Sequence, residues 1–401
     1  MNFETDAADK EFRERVQNLL AKQMEELCGS DPSLYEDQRF LDIDIRRRWT
    51  RALDEGGLLV PHWPREFGGA EWPVTWPRIL EEELAAVNAP PVDTIGTGFV
   101  GPMLCKYGSS QQKRRYLPRI RNADDFWCQG FSEPGAGSDV MSLSTVATRH
   151  KNGFAVNGRK LWITAAHIAD MMFTLVRVEL PGGRRQEGLT FLLINMHDPA
   201  VKIRPIFLID GTHRVNEVTL QDVQVPMEDM VGEQGKGWIY ARSLLADERA
   251  IVAGLGQIRE LIDDLKTILA SQPCGEHTLL DSVEFRMRLA RMEIELNALE
   301  FMDLRRLDNP NSPLSSVFTP ILKLRGCELR QQVTELTMEA LGERALEAPW
   351  DSTLGPPHRS MSPPKYIRLR TRRFLYERSS TIVGGTSEIQ RNIIAAIGLG
   401  L

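Results

Sequence analysis

The sequence predicts an α+β fold in three consecutive parts: helical, then β, then helical. Three observations carry that expectation. Apolar residues recur at helical spacing through residues 1–122, short β-prone runs divided by Asn-Gly pairs fill 123–232, and the helical period returns over 233–401. The chain of 401 residues also exceeds what one hydrophobic core usually organises.

The first part opens with Phe12, Val16, Leu19, Leu20, Met24 and Leu27 at helical spacing, predicting a helix over residues 8–28. A Pro/Gly/Trp-rich loop, Pro61 to Gly69, separates it from a helix over Trp76–Val87 with Pro77 near its start, where proline is tolerated. Gln111 to Leu117 reads as another helix after the Gly108-Ser109-Ser110 turn. Strands are expected at Thr145–Thr148, Phe154–Val156, Leu161–Ile163, Met171–Val178, Leu189–Ile194, Val201–Phe207 and Glu217–Val225, with turns at Asn152-Gly153 and Asn157-Gly158. The Gly232-to-Gly237 cluster lacks the Gly-Lys-Ser/Thr ending of a phosphate loop and reads as a hinge into helix. Helices over Trp238–Leu269, Leu280–Leu307, Pro320–Leu341 and Pro364–Ile397, joined by short loops, predict a four-helix bundle.

Composition narrows the function. Hydrophobic residues at 42% and charged residues at 26% are ordinary for a globular protein, and a net charge of −6 gives no reason to expect nucleic-acid binding. Apolar runs are too short for a membrane span, and the acidic N-terminus reads as neither signal nor transit peptide. Five scattered cysteines without a Cys-x-x-Cys pair suit a reducing cytoplasm, and seven histidines without ligand spacing give metal catalysis no support.

The chemistry concentrates in two runs. Gly130-Phe131-Ser132-Glu133-Pro134-Gly135-Ala136-Gly137-Ser138-Asp139 exposes backbone amides and small hydroxyls that can approach a planar ring and a phosphate chain. Lys160-Leu161-Trp162-Ile163-Thr164 sets an indole beside a hydroxyl. Together with Glu217 to Pro226 and the C-terminal Gly384-Gly385-Thr386-Ser387-Glu388-Ile389-Gln390-Arg391, these runs closely resemble the acyl-CoA dehydrogenase family over essentially the whole chain.

That resemblance implies a helical N-terminal domain, a central β-barrel-like domain and a C-terminal four-helix bundle around FAD. It also implies α,β-dehydrogenation of an acyl-CoA thioester. A base removes the α-proton, the β-hydrogen leaves as hydride to flavin N5, and electrons pass to an electron-transferring flavoprotein. Gln129, Phe131 and Ser132 would line the flavin ring, with Trp162 packed against it and Thr164 near N5; Thr386 and Glu388 would hold its ADP portion. Ser138 would contact the CoA arm.

One departure is decisive. Where the family often carries the catalytic glutamate, this chain has Gly384, which retains only the backbone N–H that would donate to the thioester oxygen. Some relatives place the base on the first helix of the bundle, and alignment there puts Glu248 at that position with Arg249 beside it to hold the CoA arm or orient the site. Asp247 lies about 100° away on the helix and is a weaker candidate.

The Arg-x-x-Phe-Gly motif, by which a neighbouring subunit grips the flavin pyrophosphate, is replaced by Ser271 to His277, and the second family signature is degraded at Glu339 to Ala345. The tail looks most like the bacterial pimeloyl-CoA dehydrogenase large-subunit and steroid-catabolic branch. Both homo-oligomers and α2β2 heterotetramers with a second such subunit therefore stay open. So do a non-catalytic or half-site subunit and a flavin monooxygenase or oxidase on the same fold. Arg368, Arg370, Arg372, Arg373 and Arg378 read equally as phosphate contacts or as a locally paired face, and His167 reads as structural.

Overall fold

The computed structural model describes residues 7–28, 43–87, 89–178, 185–310, 312–346 and 365–401. Among these the α, β, α order is observed. The N-terminal part comprises α1 (Ala7–Cys28), α2 (Ile43–Glu55), α3 (Trp76–Ala86), α4 (Gly101–Tyr107) and α5 (Ser110–Arg121). A π-helical turn, Ile95–Val100, leads directly into α4. The Ser109 and Gln112 side chains cap α5 reciprocally, each bonding the other's backbone N–H, which explains why the Gly-Ser-Ser turn starts a helix.

The middle part is an eight-stranded sheet: β1 (Trp127–Gly130), β2 (Val146–His150), β3 (Gly153–Thr164), β4 (Met171–Arg177), β5 (Leu189–Asn195), β6 (Val201–Phe207), β7 (His213–Pro226) and β8 (Met230–Val231). Its order is β6-β7-β3-β2-β4-β5-β8, with β1 pairing parallel to β4, so the sheet stays open at β6 and β8 rather than closing into a barrel. β4 reads as a continuous apolar run because both its faces are buried. Met171, Phe173 and Leu175 face a core shared with the N-terminal helices, and Met172 and Val176 face a second core with Phe154, Val218 and Val225.

Asn157-Gly158 is not a turn. β3 runs through it as one strand, with a bulge between Val156 and Gly158. Asn157 Oδ1 accepts the Asp222 N–H at 2.8 Å, and a Cβ on Gly158 would collide with Thr145. Glycine answers a packing demand there, not a turn. The Asn152-Gly153 hairpin between β2 and β3 is present as expected.

The C-terminal part holds α6 (Gly237–Ala253), α7 (Leu255–Ser271), α8 (Val283–Asp308), α9 (Pro313–Leu341), α10 (Lys365–Glu377) and α11 (Ser387–Ile393). Two expected helices are each divided by glycine. Gly254, at φ +62°, separates α6 from α7, and Gly384 and Gly385, at φ +64° and +89°, lie between α10 and α11. The expected helix start at Pro364 lies outside the described residues. A short hairpin, β9 (Pro273–Cys274) with β10 (His277–Thr278), lies between α7 and α8. Among the described residues no helix is long and apolar enough to cross a membrane, and no cluster of three His, Cys, Asp or Glu is arranged for a metal.

Candidate active site

β3 carries a bulky residue in the left-handed region of the backbone. Its register with β7 slips between Lys160 and Ile163, and within that bulge Trp162 takes φ +64° with 57% of its surface exposed. A left-handed conformation is a genuine outlier for a bulky side chain and needs support from its surroundings. Buried Asn216 on β7 supplies it, donating from Nδ2 to the Ile163 carbonyl at 3.0 Å. Its Oδ1 lies 2.7 Å from His213 Nε2, and its Nδ2 lies 3.1 Å from His167 Nδ1. The His167 and His213 rings stack at 4.0 Å, and burial with the neighbouring His213 pushes His167 down to about 4. His167 therefore has a structural setting, the reading preferred for it in the sequence.

The bulge also joins the two chemistry-bearing runs. Leu161 N–H donates to the Ser132 carbonyl at 2.9 Å, setting the Gln129–Ser132 segment beside the Trp162–Thr164 segment. Beneath them lies an ion pair that the sequence did not announce. Lys160, fully buried, donates to Glu133 at 2.9 Å and to the Phe131 and Leu175 carbonyls at 3.2 and 2.8 Å. Glu133 also accepts the Ser144 and Thr145 backbone N–H groups at 2.6 and 3.0 Å. Burial pulls the Lys160 ammonium down to about 8 against the pull of Glu133. Burial pushes Glu133 upward, and the Lys160 charge with the Ser144 N–H outweighs it, holding the carboxyl at about 2. The only sequence signal was that Glu133 and Lys160 both sit inside the recognised runs.

Phe131 is buried edge-on against Phe173, whereas Gln129 and Ser132 are half-buried and Thr164 is exposed. An exposed indole on a bulge, in a segment bonded to the one that carries Gln129 and Ser132, offers its face to a planar heteroaromatic ring. Ser138 lies exposed on the loop after β1. Thr386 caps α11, its Oγ1 accepting Ile389 N–H at 3.3 Å, and Glu388 is exposed in the first turn.

A second convergence lies on α6. The Ile251 side chain comes within 3.1 Å of where a Cβ on Gly98 of the π-helical turn would sit, and Val252 within 3.1 Å of a Cβ on Gly384. The π turn is itself locked from behind, since Trp63 Nε1 donates to the Thr97 carbonyl at 2.8 Å. Asp93 ties it to β1 by accepting Trp127 N–H at 3.0 Å; burial, against the nearby Arg46, pushes that carboxyl up to about 6. Among the described residues the Gly384 N–H has no acceptor. Position 248 precedes Ile251 and Val252 by three and four residues, so all three share one stripe of α6. The side chains of residues 246–250, Glu248 and Arg249 among them, lie outside the described part.

Most of the Arg-rich segment turns to local acids. Arg370 pairs with Asp264, Arg373 with Glu260 at 3.4 Å, and Arg378 with Glu335 at 2.7 Å. The Arg368 side chain lies outside the described part.

Models of the acyl-CoA dehydrogenase N-terminal, middle and C-terminal domains match residues 6–124, 128–223 and 235–399 in turn. This chain belongs to the acyl-CoA dehydrogenase family. Acyl-CoA dehydrogenase IpdE1 of Mycobacterium tuberculosis is 34% identical over 404 residues, covering 98% of this chain and 97% of that one. IpdE1 of Mycolicibacterium smegmatis is 31% identical over 410 residues, with the same coverage of 98% and 97%. Among solved structures, the ChsE4-ChsE5 complex from Mycobacterium tuberculosis superposes with a TM-score of 0.83 at 27% identity, covering 100% of this chain and 99% of that one. The family consists of FAD-dependent oxidoreductases, and its branch membership accords with the tail resemblance seen in the sequence.

Proposed function

We propose that this chain dehydrogenates a bulky, branched or ω-substituted acyl-CoA thioester at its α,β-bond, with Glu248 as the α-proton base. One observation carries the reading: Gly384 presents an N–H without an acceptor among the described residues and lies against Val252, one helical turn beyond Glu248. A base on α6 and an amide donor on the tail then meet on the same thioester. The Glu248 carboxylate takes the α-proton while the Gly384 N–H stabilises the charge building on the thioester oxygen. Arg249 and Ser138 hold the CoA arm. Gln129, Phe131, Ser132, Trp162 and Thr164 hold the flavin ring, and Thr386 and Glu388 its ADP portion. FAD held there would supply the acceptor for the β-hydrogen, leaving as hydride, and an electron-transferring flavoprotein would take the electrons onward. The chemistry takes place in the cytoplasm.

The chain works in an oligomer, either of itself or as an α2β2 heterotetramer with a second acyl-CoA dehydrogenase-like subunit. The β9–β10 hairpin, replacing the pyrophosphate-gripping motif, favours the heteromer, as does the likeness to a two-component complex. Exposed Val283, Met287 and Ile294 along α8 offer an apolar seam for such contact.

The test is anaerobic bleaching of the yellow holoprotein by a series of CoA thioesters. Ring-bearing or branched thioesters are expected to bleach it fastest. Best turnover on butyryl-CoA would sink the substrate assignment, and no bleaching by any thioester would sink the dehydrogenase reading.

A further inference from the structure

We infer that Arg330 is the positioning residue that fixes the Glu248 turn of α6 relative to the Gly384 amide. The inference rests on the proposed roles of those two residues. Arg330, on α9, is 7% exposed, and its guanidinium spans the junction between α6 and α7. Nη2 donates to the Val252 carbonyl at 3.0 Å, Nη1 to Gln257 Oε1 at 3.0 Å, and Nε lies 3.4 Å from the Glu377 carboxylate at the end of α10. The carbonyl it takes belongs to the last turn of α6, where intrahelical donors run out and the helix dipole favours a cation.

Val252 is thus held twice. Its carbonyl is bound by Arg330, and its side chain lies against Gly384. Glu248 stands one turn earlier, about 6 Å along the helix axis.

The same helix grips the tail from the other side. Gln331 Nε2 donates to the Glu377 carbonyl at 2.9 Å and to Thr381 Oγ1 at 3.3 Å. Fully buried Lys323 donates to the Ser380 carbonyl at 3.1 Å. One face of α9 therefore measures the gap between the end of α6 and the turn that carries Gly384. Gly254 completes the fit: with φ +62° it turns the chain, and a Cβ there would crowd Arg330 Nη1 at 3.0 Å. A misplacement of about 1 Å between reacting groups can cost about 10²-fold in rate, so a residue that touches no reactant can still govern the reaction.

Arg330→Met and Arg330→Lys are compared with wild type and Glu248→Gln as holoproteins. FAD content, thermal midpoint, single-turnover flavin reduction, KM and the isotope effect of α-deuterated substrate are read. Arg330→Met is expected to keep FAD, to reduce flavin about 10–100-fold more slowly at saturating substrate with KM within about threefold, and to show a larger α-deuterium effect. Arg330→Lys, which retains one donor for the Val252 carbonyl, recovers part of the rate. If the methionine variant does not fold, the lysine variant alone decides: at unchanged thermal midpoint, a rate loss with a raised isotope effect supports the role, and a wild-type rate overturns it. A wild-type rate and isotope effect in Arg330→Met, with Glu248→Gln inactive, overturns the positioning role alone. A wild-type rate in Glu248→Gln overturns instead the base assignment beneath it.

Discussion

Replacing Glu248 by glutamine is expected to leave FAD bound while slowing flavin reduction by at least ~10²–10⁴-fold. The size follows from the chemistry: an α-C–H beside a thioester is a weak acid, and glutamine accepts no proton. The position follows from the helix. Residues 248, 251 and 252 form one stripe of α6, which meets the π-helical turn at Gly98 and the tail at Gly384. Asp247 lies about 100° around the helix, so Asp247→Asn is expected to retain most of the rate. A glutamate at position 384 meets two obstacles here. The backbone is left-handed at φ +64°, which costs roughly 1–2 kcal/mol for a residue with a Cβ, and that Cβ would press on Val252 at 3.1 Å. Stopped-flow reduction of the three proteins at matched FAD content checks the expectation.

Lys160→Met is expected to destabilise the holoprotein by about 3–5 kcal/mol, because it leaves the Glu133 carboxylate buried without its counter-charge. It also strips a donor from the Phe131 carbonyl, so FAD should be released at lower temperature than from wild type. Adding Glu133→Gln removes the stranded charge, and the double variant should recover a substantial part of the loss. Thermal and urea unfolding of the single and double variants provide the measurement; a single variant as stable as wild type would show that the pair contributes nothing. Glu133 also has a pH signature. Its folded value of about 2 lies below the ordinary 4.5, so its contribution is complete above 4.5 and is lost as pH falls toward about 2.

The elements with strong periodicity were legible in the sequence, and β6 has the very limits that its apolar pattern suggested. What escaped was governed by long-range packing. Asn157-Gly158 has turn chemistry, yet Thr145 and Asp222 use it inside a strand. Gly254 sits within an unbroken helical period, and its left-handed φ of +62°, with Arg330 and Gln257 crowding the place a Cβ would take, is set by packing the period does not show. Trp162 was visible as a motif, but its left-handed backbone depends on Asn216, fifty-odd residues later in the chain. Lys160 and Arg330 would ordinarily be read as solvated, since a single sequence does not reveal which charges find buried partners. The glutamate-to-glycine exchange at 384 was legible outright; the N–H without an acceptor among the described residues and the contact with Val252 came from the fold.

The relocated base is tested most directly by α-proton exchange, which isolates proton removal from hydride transfer. An acyl-CoA thioester that bears an α-hydrogen but no β-hydrogen is incubated anaerobically with the FAD-loaded protein in deuterated water, and deuterium entering the α-carbon is followed by mass. Glu248 as the base predicts rapid exchange in wild type and in Asp247→Asn, and none above the uncatalysed rate in Glu248→Gln. Exchange in Glu248→Gln at the wild-type rate would contradict it.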